Sequence, residues 1–190
     1  MQSLKEHIYI TEQKEAIASL LEFIVFMEDG ESLILSETKG ENVKAGLTKV
    51  VGKLGISAHG RKNLLKLITS VGKNTGLALV YAVRSHMGQE GSKEKLENIL
   101  KTANIKSELM DLMLRLDTLT LHLLTGPLHI IDAITGWHLG ADMQQKAKTP
   151  NTHVKSALDT IAKAANAIKD KPRKTLNRSI EKIKKIFAVA

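Results

Sequence analysis

The chain has 190 residues, 43% of them hydrophobic, which is enough for one sizeable core or for a core with an appended arm. It contains no cysteine, which excludes a disulfide framework, a thiolate metal site and a cysteine nucleophile. Its six aromatic residues argue against a β-sandwich and against a nucleic-acid reader built on stacking platforms, while a net charge of +8 favours an anionic partner without identifying one.

That charge is laid out in blocks. Residues 1–41 hold nine acids against three bases, and residues 42–89 hold eight bases and no acid. Residues 90–143 return to a net −3, whereas 144–190 carry twelve bases against Asp159, Asp170 and Glu181. An acidic first helix packed beside the second block would cancel much of its field. The last block is harder to cancel, because residues 1–143 are only −1 in total.

The first residues lack the basic segment and apolar stretch of a secretory signal. The longest uncharged run, Thr118 to Ile131, has 14 residues and two histidines, against about 18 needed to span a bilayer. The expectation is a soluble protein of the cytoplasm or another reducing compartment, without signal peptide or transmembrane helix.

Helical periodicity begins over 12–28, where Ile17, Leu20, Leu21, Ile24 and Met27 recur every three or four residues and Glu12 and Glu15 suit the first turn. Gly30 is expected to end this helix, and 32–36 to connect it onward. From 37 to 86 the glycines predict several short or closely packed helices, with breaks near Gly55 and Gly72 to Gly76. Leu64, Leu65, Ile68 and Val71 form one stripe, and Leu77 to Val83 reads as buried.

Ser92 can cap a helix to about 103, and a longer one is expected over 106–125. Its apolar residues cover most sides, which places it at the centre of a bundle. Gly126-Pro127 predicts a stop and restart, giving a core hairpin of 106–125 and 127–143. Thr149-Pro150 opens a helix to about 169, in which Val154, Leu158, Ile161, Ala165 and Ile168 form a seam. Asp170-Lys171-Pro172 breaks it, and a last helix follows with Leu176, Ile180, Ile183 and Phe187 in register and a Glu181 to Lys185 pair. The fold class is all-α: a helical bundle core over 1–143 with a basic amphipathic helical hairpin or arm over 144–190.

No serine lies in a Gly-x-Ser-x-Gly elbow, so no catalytic residue is assigned and the protein reads as non-enzymatic. Val71-Gly72-Lys73-Asn74-Thr75-Gly76 resembles part of a phosphate loop, but Leu67 replaces the first glycine and Asn74 the Ser or Thr. His129 and Asp132 share a helix face, with His122 and His138 nearby, yet no His-x-x-x-His or Glu-x-x-His pair exists, so neither metal nor cofactor is assigned. Trp137 reads as a packing anchor.

The stronger signal is the cluster Lys146, Lys148, Lys155, Lys163, Lys169, Lys171, Arg173, Lys174, Arg178, Lys182, Lys184 and Lys185. Such a surface neutralises phosphates, and 23 lysines against 5 arginines favour diffuse attraction over bidentate base reading. The expected partner is a polyanion, nucleic acid ahead of an anionic membrane, with no small-molecule substrate. A lipid-surface helix protein using Leu176, Ile180, Ile183, Ile186 and Phe187 is one alternative, and a scaffold docking on an acidic protein is another. Self-association into a homo-oligomer is expected, since an exposed heptad-like seam needs a partner.

Overall fold

The computed structural model describes residues 3–35, 41–56, 70–146, 151–168 and 172–188. Of these, 86% are helical, with nine helices and no strand among the described residues, so the protein is an all-α bundle. In chain order they are α1 (Leu4–Leu35), α2 (Glu41–Lys53), α3 (Lys73–His86), α4 (Ser92–Thr102), α5 (Lys106–Arg115), α6 (Thr118–Thr135), α7 (Leu139–Lys146), α8 (Asn151–Asn166) and α9 (Pro172–Ala188).

The first helix is longer at both ends than its apolar period predicts. A capping box starts it: the Glu6 N–H donates to Ser3 Oγ at 3.2 Å, and the Ser3 N–H donates to Glu6 Oε2 at 2.9 Å. Gly30 does not end it, and the expected connector continues as helix to Leu35. The reason is tertiary. A Cβ on Gly30 would stand 2.7 Å from Val80 Cγ2, so α3 crosses against bare α1 backbone. That close packing offsets the roughly 1 kcal/mol that glycine costs inside a helix.

The centre of the bundle is α1, not 106–125. Ile17, Leu20, Leu21, Ile24 and Met27 are all buried, and Phe23 and Phe26 bury further faces of the same helix. The expected helix over 106–125 breaks instead at Leu116, whose extended backbone leads into Asp117. Asp117 Oδ1 accepts the Thr120 N–H at 3.0 Å, while Oδ2 accepts the Thr120 hydroxyl at 2.9 Å and the Ser19 hydroxyl at 3.1 Å. A cap anchored on α1 therefore overrides the continuous apolar run. It leaves α5 peripheral, with Met110 45% and Leu114 68% exposed.

Gly126-Pro127 does not stop the chain either, since α6 passes through both residues. An interior proline costs about 3 kcal/mol. Buried Leu123, Leu124, Leu128 and Ile131 flank it, and at about 1.5–3 kcal/mol each their burial outweighs that cost. The helix ends at Gly136, where a φ of +70° forms the left-handed cap and the N–H donates to Asp132 O at 2.7 Å.

The C-terminal hairpin packs onto the core. Val154, Leu158, Ile161, Ala165 and Ile168 of the α8 region and Leu176, Ile180, Ile183 and Ile186 of α9 are buried, in one apolar cluster with α1, α3 and α6. Helix α8 lies against α1, α9 touches α1 and α8, and α2 touches both α8 and α9. The seams thus find their partners within the chain, which removes the open seam on which self-association was expected. Phe187's side chain, Thr149, Pro150 and the Leu64, Leu65 and Ile68 stripe lie outside the described residues.

Candidate nucleic-acid interface

Burial of one side of each hairpin helix decides where the bases go. Lys155 and Lys163 are exposed two turns apart on α8, with exposed Asp159 between them. On α9, Arg173, Lys174, Arg178, Lys184 and Lys185 are exposed; Lys174, Arg178 and Lys185 lie opposite the buried Leu176, Ile180 and Ile183, and Arg173 and Lys184 flank that stripe. Lys174, Arg178 and Lys185 step by four and seven residues, so they share one helix line. Among the described residues, Arg173, Lys174, Arg178 and Lys185 form no ion pair. Lys148, Lys169 and Lys171 lie outside the described residues, and of Lys146 only the backbone is described.

Among the described residues, two bases of the cluster are engaged within the chain. Lys182 Nζ lies 3.3 Å from Glu28 Oε1, which also accepts the buried Ser179 hydroxyl at 2.6 Å. That contact ties α9 to α1. Glu181 pairs with Lys184 at 3.0 Å, in place of the Lys185 that helical spacing suggested.

Among the described residues, Glu31 of the acidic first helix takes up Arg84 of the second basic block. Glu31 accepts the Tyr81 hydroxyl at 2.7 Å, pairs with Arg84 and lies 3.5 Å from Lys95 Nζ. The Tyr81 hydrogen bond, with the two bases, holds the Glu31 carboxyl below its ordinary value, and burial beside Glu31 pushes Tyr81 up to about 12. Neighbouring Asp29 is raised by burial and by Glu28.

The other candidates resolve into structural contacts. At the start of α3, the Gly72 N–H and the Thr75 hydroxyl donate to Glu108 Oε2 at 3.2 and 2.6 Å. A carboxylate of this chain thus caps the N-terminus of α3. Asp132 spends both oxygens on the amides of Leu139 and Gly140, at 2.6 and 2.5 Å, which starts α7; His129 Nδ1 is 4.0 Å away. No group of three or more His, Asp or Glu among the described residues could hold a metal ion.

His86, which no sequence motif marks, packs against Gly126 where a side chain would collide with it. Burial, and then His129, push its pKa below the ordinary histidine value. Trp137 is half-buried, with Lys106 Nζ 5.9 Å from its ring centroid.

No described helix is long and apolar enough to cross a membrane. Among the described residues, the outer side of α8 and α9 is a surface with charge to spare. No family model, curated protein or solved structure matches the chain.

Proposed function

We propose that the protein is a non-enzymatic nucleic-acid-binding or nucleoprotein-type structural protein that grips backbone phosphates through the outer face of α8 and α9. The observation that carries this reading is the division of α9, whose apolar stripe is buried in the chain while Arg173, Lys174, Arg178 and Lys185 face solvent without partners among the described residues. Phosphates are the densest regular array of negative charge such a helix can meet, and each neutralised phosphate releases a counterion. The same division disfavours the lipid-surface reading, because Leu176, Ile180, Ile183 and Ile186 would have to leave the core to enter a bilayer. Lysine's point charge, rather than the arginine fork, predominates in the cluster, which suits contact without base reading.

Replacing Arg173, Lys174 and Arg178 together by Gln tests it. At ~50 mM salt each lost phosphate contact lowers affinity about tenfold, so the triple variant is expected to bind a 20-base-pair duplex about a thousandfold more weakly than the wild type. Fluorescence anisotropy gives the affinities, with circular dichroism to show that both proteins are folded. No duplex binding by the wild type, or equal binding by the folded variant, overturns the reading.

A further inference from the structure

The acid-free second block contributes a helix to the same side of the molecule. Helix α2 touches both α8 and α9, and its Leu47 and Val50 are buried in the common core. It comes close at Gly46, where a Cβ would lie 2.6 Å from Pro172 Cγ and 2.7 Å from Pro172 Cβ. Gly46 therefore faces the first residue of α9, immediately before the exposed Arg173 and Lys174.

Helix geometry then places the α2 lysines. At about 100° per residue, Lys53 returns to within about 20° of the direction in which Gly46 faces Pro172, and Lys49 lies about 60° from it. Both are exposed, at the margin of the buried stripe on the α9 side. Neither forms an ion pair among the described residues.

We infer that Lys49 and Lys53 of α2 join Arg173 and Lys174 of α9 in one phosphate-binding surface, and that this surface takes a nucleic-acid duplex. The α2 lysines matter only if the α8 and α9 face binds phosphate, so they rest on the function proposed above. Two helices carrying bases side by side present charge across a width, which fits the two phosphate rows of a duplex. Single strands are held by aromatic platforms as well as by charge. The described aromatic rings lie elsewhere: Phe23, Phe26 and Tyr81 are buried and Trp137 sits beside Lys106. Tyr9, half exposed, packs on His153 of α8 with ring centroids 5.8 Å apart, near Lys155 and away from Arg173 and Lys174.

The experiment compares three charge-matched sets of variants in the full chain, by anisotropy with a 20-base-pair duplex and a single strand of the same length at ~50 mM salt. Lys49→Gln with Lys53→Gln is expected to lower duplex affinity about a hundredfold, at about tenfold per contact. Lys93→Gln with Lys101→Gln, exposed on α4, removes the same charge away from this surface and is expected to change it less than about threefold. The wild type is expected to prefer the duplex.

An α2 effect no larger than the α4 control, while Arg173→Gln with Lys174→Gln still weakens binding, overturns the role of α2 and leaves the function standing. Loss of no affinity in any set, or no binding by the wild type, overturns both. Equal or tighter binding of the single strand overturns the duplex assignment.

Discussion

Removing residues 144–190 is expected to unfold the remaining chain rather than leave a folded core without its arm. Gln13 donates to Ser156 Oγ at 2.9 Å and Glu28 accepts from Ser179, which marks the side of α1 that α8 and α9 cover. Steps of four, three and four residues from Gln13 reach Ile17, Leu20 and Ile24, so these buried side chains lie on that side. Truncation returns them to water at about 1.5–3 kcal/mol each. The total is comparable to the ~5–15 kcal/mol by which a whole domain is stable. Circular dichroism with urea titration of 1–143 is expected to show little cooperative structure. A cooperative transition at the full-length midpoint would contradict this packing.

The second large effect belongs to Glu31. Arg84's side chain is only 13% exposed, and Glu31 at 26% is its ion-pair partner as well as the acceptor for Tyr81. Glu31→Ala strands a mostly buried guanidinium and a phenol hydroxyl, an outcome that costs about 3–5 kcal/mol for fully buried pairs and about 2–3 kcal/mol here after solvent screening. Arg84→Met is expected to cost less, because no uncompensated cation remains.

The pH dependence follows from the direction of the Glu31 shift. Its folded value lies below its ordinary 4.5, so the unfolded chain binds the proton first. The stabilisation is full above about pH 4.5 and is lost as pH falls through the folded value. Urea midpoints measured from pH 6 to 3 are expected to fall more steeply for the wild type than for Glu31→Gln. Parallel curves would count against the network.

The helical class and the core seams were legible because burial recurs at the helical period, as Val154, Leu158 and Ile161 or Ile17, Leu20 and Ile24 show. Helix ends were less so, because several are set by residues distant in sequence. A glycine reads equally as a stop or as a crossing point, and only Val80 settles that Gly30 is the second. Ser19 likewise helps Asp117 cut an apolar run that spacing alone would continue.

The candidate surface divides in the same way. Exposure of Arg173, Lys174 and Arg178 follows from the phase of the buried stripe beside them. The engagement of Lys182 by Glu28 does not, since it depends on how α9 lies against α1. The approach of α2 to α9 was hidden for a related reason: in sequence Gly46 reads as one more breaker, and its meaning comes from Pro172.

The most direct test of phosphate binding is the salt dependence of duplex affinity for the full chain. Each phosphate contact contributes about −0.9 to the slope of log K against log salt. With Arg173, Lys174, Arg178 and Lys185 of α9 and Lys49 and Lys53 of α2 engaged, the slope is expected to be about −5.4. A slope near zero, or no measurable binding at ~50 mM salt, would contradict the account.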